Sequence, residues 1–498
     1  MQLRDHVGST KPAVVLHPSG TVVTFTELEA RANRLAHFLR RAGLRAGDTV
    51  AILMENNEHI HAAMWAARRS GLYYTLVNTH LKASEVAYIV TDSGAKAVIS
   101  SRAMQEICEH LSIESLAAAV LADDDLDGWQ RYPDCVAAEP ATPIADESDG
   151  LLLQYSAGST GRPKGIRRPL NSARPTLSTP VFEALGVTVD SVYLSPAPIY
   201  HTAPAMWTMA AQAVGATTVV MERFDAEQAL KSIERYGVTH AQFVPSMFVR
   251  MLRLPAEARL RYDVSTLERV VHAAAPCPPE IKRQMIDWWG PIVDEYYGSS
   301  EGAGISFIRA EEWLERPGSV GKPMLGLPHI LDVNGHELPP GEIGEIYYEG
   351  GYPFEYLNDT AKTAEGRTAG GWVTVGDVGY VDTDGYLYLT DRRNHMIISG
   401  GVNIYPQETE NMLISHPAVV DAAVFGIPDD IMGQSVKAVV QLADPADGND
   451  LLAAELITWL RDRLAHYKCP RSISFEAQLP RTDAGKLYKQ QLIDKYGG

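Results

Sequence analysis

The run Tyr155-Ser156-Ala157-Gly158-Ser159-Thr160-Gly161-Arg162-Pro163-Lys164-Gly165 constrains this chain more than any other stretch. It follows Leu151-Leu152-Leu153, an apolar triplet that reads as a buried strand. Gly158, Gly161 and Gly165 let the backbone approach a ligand closely. Ser156, Ser159 and Thr160 add hydroxyls and Lys164 adds a cation, a combination suited to a polyphosphate. Two familiar phosphate loops do not fit. A Walker A loop beginning at Gly158 would need glycine where Pro163 stands, and a Gly-x-Gly-x-x-Gly run would need glycine at Thr160.

A strand–loop unit of this kind belongs in an α/β sheet, and the flanking chain agrees. Thr26 to Glu29 reads as a capping box, with Thr26 as N-cap and Glu29 at N3. Leu28, Ala32, Leu35 and Leu39 then recur at helical spacing until Gly43. Thr49 to Met54, Tyr73 to Val77 and Ala97 to Ser100 read as strands, with helices over Glu58 to Ser70 and Lys82 to Val90 between them. Such alternation implies a largely parallel sheet covered by helices. His59 and His61 read as solvated helix histidines rather than metal ligands, and Asp123 to Asp127 as a solvated acidic loop. Strands resume at Thr217 to Met221, Ala241 to Val244 and Val270 to His272. The last leads into a small-residue turn at Ala274-Ala275-Pro276. Asp294 to Gly302 places Tyr297, Gly298, Ser300 and Glu301 after a strand, where open α/β sheets bind ligands.

From Gly318 the texture becomes that of a smaller β region with runs at Gly344 to Tyr348, Trp372 to Asp377 and Tyr386 to Thr390. Beyond Asp391-Arg392-Arg393-Asn394, Pro406 opens a helix, Val419 to Val424 and Ser435 to Gln441 read as strands, and Leu451 to Leu464 as a helix. The fold expected is therefore a large α/β N-terminal domain over 1–391, a hinge at 392–394 centred on Asn394, and a small mobile α+β domain over 395–498. The net charge of −18 over 498 residues argues against a nucleic-acid partner. Four dispersed cysteines suit a reducing compartment. The N-terminus has no apolar leader-like core and no run reaches membrane-spanning length, so a cytoplasmic enzyme without an integral membrane segment is expected.

Together these motifs resemble the acyl-adenylate-forming superfamily, most closely the bacterial acyl-CoA synthetases, with the amide bond synthetases as near relatives. The glycine loop is similar to that family's Ser-x-Gly-Ser/Thr-Thr-Gly-x-Pro-Lys-Gly run. Tyr297-Gly298-Ser299-Ser300-Glu301 resembles its Tyr-Gly-x-Thr-Glu motif, and Gly376-Asp377 its ribose motif. Arg392 stands where the family has an arginine before the hinge. Ser399-Gly400-Gly401 lies in the segment that faces the acceptor tunnel, and Pro480 to Lys486 resembles the terminal Gly-Lys motif.

The resemblance implies ATP and Mg²⁺ as cofactors and a small carboxylic acid as substrate. Ser156, Gly158, Ser159, Thr160, Gly161 and Lys164 would hold the departing pyrophosphate. Tyr297, with Ala274, Ala275 and Pro276, would sandwich adenine, and Gly298 would belong to the same nucleotide site. Ser300 would contact the α-phosphate, Glu301 would place the metal, and Asp377 with Arg392 would hold the ribose. Lys486 would bridge acid and α-phosphate, while His201, Met206, Trp207 and Met209 would line the acid pocket. Ser300 replaces the usual threonine. Asn394 replaces the usual hinge Asp or Lys. Tyr200 to Trp207 contains no acid to pair with an α-ammonium, which favours an apolar or aromatic acid. The acceptor stays open between CoA and an amine. Lys468 and Arg471 are the cations that a CoA nucleotide would need at the tunnel mouth, or else solvated surface charges.

Overall fold

The computed structural model describes residues 3–8, 10–156, 163–172, 179–481 and 487–497. Its first helix, Phe25–Arg41, is capped one turn-step earlier than the sequence implies. Thr24 is the N-cap, and its side chain accepts from Glu27 N while Glu27 reaches back to Thr24 N at 2.8 Å. Thr26 is diverted to the Gly8 N–H at 3.1 Å, and Glu29 is held by Arg69. Both overlapping Thr-x-x-Glu runs satisfy the capping pattern, and tertiary partners decide between them.

Two sheets build the large unit. A six-stranded sheet runs in the order Gln130–Arg131, Ala118–Leu121, Ala95–Ser100, Thr49–Leu53, Tyr73–Leu76 and Leu151–Leu152, with every pair parallel. A longer sheet carries a parallel block: Pro12–His17, Thr217–Met221, Val192–Ser195, His240–Phe243, Arg269–His272 and Val293–Gly298. Its strands are largely buried on both faces, as helix-covered parallel sheets are. From Ile305–Ile308 onward the pairing turns antiparallel through Ser319–Leu325, Leu387–Arg392, Val373–Val381, Gly344–Glu349 and Leu327–Leu331. The β region therefore continues the same hydrogen-bonded path. Gly321 makes the join possible: at φ +94, a Cβ there would lie 1.9 Å from Phe307 O.

The helix Ile60–Arg69 lies between the sheets and is buried on every face. This overturns the reading of His59 and His61 as solvated. His61 is buried with Nε2 3.0 Å from Thr208 Oγ1, and His59 is half-buried against Tyr132. Burial lowers the His61 pKa to about 4.

The chain leaves the large sheet at Arg392 and joins a separate five-stranded sheet at Ile397. Between them, Asn394 is exposed within the short turn Arg393–His395. The small sheet, with Val419–Asp429 and Gly433–Leu442 at its centre, packs Val424, Ala438 and Val440 against Leu413, Leu456 and Leu460. Contacts that tie it to the large unit include Gln407 N, which donates to the nearly buried Asp391 carboxylate at 3.0 Å, Arg253 Nη2, which donates to Val419 O at 2.6 Å, and Ile414, which packs against the core beside the long sheet. No helix among the described residues is long and apolar enough to cross a membrane.

Candidate active site

The strand Gln154–Ser156 pairs antiparallel with Lys164–Arg167, setting Ser156 opposite Lys164 at the two ends of the glycine loop. Gly158, Ser159, Thr160 and Gly161 lie outside the described residues, as does Lys486. A third strand, Glu355–Tyr356, adds to this hairpin with Tyr356 beside Ile166. Lys164 Nζ stands 6.0 Å from the Tyr356 ring centroid, and the Tyr356 hydroxyl donates to Glu301 Oε1 at 3.0 Å. One tyrosine thus joins the loop's cation to the carboxylate expected to place a metal.

Ser300, Tyr297 and Gly298 occupy the carboxyl end of Val293–Gly298 and the turn after it. Ser300 Oγ lies 3.2 Å from Thr202 Oγ1, the first residue of the helix Thr202–Ala213, and Ser300 O accepts from Arg168 Nη2 at 3.0 Å. Burial lowers the Arg168 pKa while Tyr352 and Glu301 oppose that shift. The Tyr297 hydroxyl donates to Asp377 Oδ2, and Arg392 Nε meets Asp377 Oδ1 at 3.0 Å. Strand pairing places Asp377 directly opposite Arg392. The Asp377 carboxylate raises the Arg392 pKa above its ordinary value, and burial with Asp377 pushes the Tyr297 hydroxyl far up. Tyr297 is therefore anchored by its hydroxyl, with its ring 6.4 Å from that of Tyr348.

Near this cluster the turn after Arg269–His272 holds Ala274 at φ +72 and exposed, followed by half-buried Ala275 and exposed Pro276. A non-glycine residue in that conformation costs about 1–2 kcal/mol and persists only where its surroundings enforce it. Beneath the turn, Lys282 Nζ donates to Glu295 Oε2 at 2.8 Å, and the buried His272 Nε2 is 3.4 Å from the same oxygen.

On the other side of Ser300, His201 is the N-cap of Thr202–Ala213, and its ring lies 4.5 Å from that of Tyr200. Met206 is half-buried against the core. Trp207 stacks on Tyr296 at 5.2 Å and 21°. Met209, also expected to line the acid pocket, is set deep in the helix packing. It is wholly buried, and its sulfur takes the Tyr74 hydroxyl at 3.7 Å, because residue 209 falls on the helix face turned to the core.

Ser399, Gly400 and Gly401 form a hairpin turn. Ser399 pairs with Val402, the glycines take φ +57 and +80, and Gly400 N donates to Met432 O at 2.8 Å. Lys468 is paired to Glu408, and Arg471 to Asp429 at 2.7 Å. Sequence reasoning missed Tyr356, Thr202 and Arg168. A two-residue strand shows no alternation, and a threonine or arginine beside a motif carries no signal of its own.

Among the described residues no three metal-ligating side chains gather. Glu301 alone suits Mg²⁺, which binds through one or two carboxylates plus phosphate oxygens.

The AMP-binding enzyme model matches residues 3–355, and the AMP-binding enzyme C-terminal domain matches 408–486. This chain belongs to the AMP-binding enzyme family. Feruloyl-CoA synthase from an Amycolatopsis species is 34% identical, covering 97% of this chain and 96% of that protein. 2-Succinylbenzoate–CoA ligase from Bacillus licheniformis is 32% identical over 98% of this chain and all (100%) of that one. The solved amide bond synthetase from Marinactinospora thermotolerans superposes with a TM-score of 0.85 at 27% identity, covering 99% of this chain and 98% of that one. This AMP-binding enzyme thus has acid–CoA ligases among its relatives and an amide-forming enzyme among its structural neighbours.

Proposed function

We propose that this enzyme condenses an apolar or aromatic carboxylic acid with ATP, releasing pyrophosphate, and then transfers the acyl group from AMP to the thiol of CoA. The observation that carries this reading is the position of Ser300. Its hydroxyl meets Thr202 at the start of the helix that carries Trp207. Glu301 follows it in the chain and meets Tyr356 in space; Tyr297 comes from the strand end before it, and Asp377 and Arg392, on two other strands, gather at the Tyr297 hydroxyl. An α-phosphate at Ser300 would have its β- and γ-phosphates toward Lys164 and its ribose toward Asp377.

In the first step a carboxylate oxygen attacks the α-phosphorus and the bond to pyrophosphate breaks. Two anions must meet, so the chain's cations stabilise the charge that concentrates there. Lys164 and the loop hydroxyls take the pyrophosphate oxygens, and Lys486 takes the shared charge between acid and α-phosphate. Asp377 accepts from the ribose while Arg392 holds it aligned. Glu301 would hold Mg²⁺, which supplies charge neutralisation across phosphate oxygens. In the second step the CoA sulfur attacks the acyl carbonyl, the thiol proton departs and AMP leaves. A pivot at Asn394 would swing the small unit, moving Lys486 away and bringing the Ser399–Gly401 turn to the acceptor.

A second reading is an amide bond synthetase, in which an amine nitrogen takes the place of the sulfur. It is favoured by one observation: Lys468 and Arg471 are already neutralised by Glu408 and Asp429, and a neutral amine needs no cationic mouth. The test is product mass spectrometry from an acid panel with ATP–Mg²⁺ and either CoA or amines. Thioester and AMP support the ligase; amides without thioester replace it. Lys486→Ala should abolish adenylate formation while sparing transfer from supplied acyl-adenylate, and equal loss of both steps would refute its assigned role.

A further inference from the structure

The acid site proposed above has a polar end that its aliphatic and aromatic lining does not account for. On the parallel block, Gln242 pairs with Val271, Val271 pairs with Asp294, and Tyr193 pairs with His240. Side chains alternate along strands, so Tyr193, Gln242 and Tyr296 point to one face of the sheet, the face on which Trp207 packs. Gln242 Nε2 donates to the Tyr296 hydroxyl at 2.9 Å. Among the described residues, the Gln242 Oε1 and the Tyr193 hydroxyl are buried and have no hydrogen-bond partner. Gln242 is 7% exposed and Tyr193 is 0% exposed.

Two unpartnered polar groups on one buried face are costly to retain, and a site for a plain hydrocarbon tail gains nothing from them. Their surroundings are flat. Trp207 stacks on Tyr296, Phe182 meets Trp207 edge-on at 5.9 Å, and Tyr296 keeps solvent-accessible surface although it is set deep beside Tyr297. Their depth fits a short acid. Trp207 lies five residues along its helix from Thr202, which touches Ser300, so the stack sits about 7.5 Å from the reacting end at a helical rise of about 1.5 Å per residue. That is the span of one ring with a short spacer.

We propose that the acid is a flat aromatic acid carrying a hydrogen-bond donor, a hydroxyl or an amino group, at the end of the ring far from its carboxylate. The Gln242 carbonyl accepts from that donor, and the Tyr193 hydroxyl serves as its second partner. The ring lies against the Trp207–Tyr296 stack. Discrimination then comes from the acceptor left unpaired when the donor is missing, which is the stronger form of selectivity a pocket can exert.

The inference rests on the adenylation reading, and the test separates the two. Acid-dependent pyrophosphate release is measured for matched pairs of benzoic, phenylpropionic and cinnamic acids with and without a para hydroxyl or amino group. The wild-type enzyme should prefer the donor-bearing member of at least one pair by about 100-fold or more in kcat/KM. Gln242→Leu should reduce that preference to a few-fold by slowing only the donor-bearing acid, with KM for ATP unchanged; Tyr193→Phe should reduce it less. Equal rates within every pair, or a preference that survives Gln242→Leu, would overturn the proposal while leaving adenylation intact. Absence of pyrophosphate release with every carboxylic acid would overturn the adenylation reading and this proposal with it.

Discussion

Tyr356→Phe isolates one hydroxyl at the centre of the proposed ATP site. The substitution keeps the ring beside Lys164 and removes the donor that meets Glu301 Oε1 at 3.0 Å. It leaves the local backbone untouched, because Tyr356 N is bound by Thr363 Oγ1 and Leu357 N by Gly165 O, both independent of the phenol. A hydrogen bond to a charged acceptor contributes about 1.5–3 kcal/mol, equivalent to roughly 10- to 150-fold. Tyr356 and Glu301 are both half-buried, so water can replace part of the lost contact and the low end applies. If Glu301 helps hold Mg²⁺, the loss falls on the metal. Tyr356→Phe should raise the Mg²⁺ concentration for half-maximal pyrophosphate release by about tenfold, and should weaken calorimetric binding of MgATP similarly. The KM for the acid should not move, and excess Mg²⁺ should restore most of the rate. Tyr356→Leu, which also removes the ring beside Lys164, should add an increase in KM for ATP. Wild-type Mg²⁺ dependence in Tyr356→Phe would refute the coupling of Tyr356 to metal placement.

Stability should fall on mild acidification through His61. Its folded pKa of about 4 lies below the ordinary value of 6.5, so its contribution is fully present above pH ~6.5 and is lost as pH falls through about 4. By pH 5 this amounts to about 2 kcal/mol. Urea midpoints at pH 7 and pH 5 should show the drop, His61→Gln should shrink it, and an unchanged slope in that variant would exclude His61 as a source. Buried His272 shifts in the same direction, so some slope should survive. The acceptor reading is tested by releasing cations rather than removing them. Glu408→Gln with Asp429→Asn frees Lys468 and Arg471, and should lower KM for CoA if CoA is the acceptor, with acid-dependent pyrophosphate release unaltered. No change in the thioester reaction would show that these cations do not face the nucleotide.

Strand positions were readable because a helix-covered parallel sheet writes itself as continuous apolar runs. Thr49–Leu53, Thr217–Met221 and His240–Phe243 are buried at every position and stand within a residue or two of the expected spans. What failed depended on distant chain. Two Thr-x-x-Glu runs overlap at residues 24–29, and the choice between them is made by Gly8 and Arg69. The helix Ile60–Arg69 carries one histidine and two arginines, with His59 at its N-cap, and the two histidines read as solvated. Instead Thr208 takes His61, Asp149 takes Arg68 and Glu29 takes Arg69, so polar side chains are buried with partners up to 147 residues away. The pairing of Lys468 with Glu408 and of Arg471 with Asp429 is hidden for the same reason: each acid lies in a different element, far back in the chain.

The candidate site divides along the same line. Motif residues carry their chemistry in their own side chains, so Tyr297, Ser300, Glu301, Asp377 and Arg392 could be named one at a time; strand pairing then sets Asp377 against Arg392, and the Tyr297 hydroxyl donates to Asp377. Residues that orient those groups have no such signature. Tyr356 and Thr202 act only because a two-residue strand and a helix start bring their hydroxyls to Glu301 and Ser300. Among the described residues, the cations around this cluster include Lys164, Arg168 and Arg392, all from the large unit, within a chain whose overall charge is −18. On the proposed reading the large unit would hold the anionic nucleotide with its own charges, and the small unit would supply Lys486 for the first step. Lys468 and Arg471 of the small unit are neutralised by acids of that same unit. This separation makes the acceptor, rather than the nucleotide, the part of the chemistry most open to change within such a fold. Binding of ATP and choice of acceptor then rest on different residues, and substitutions in one set should be largely additive with those in the other.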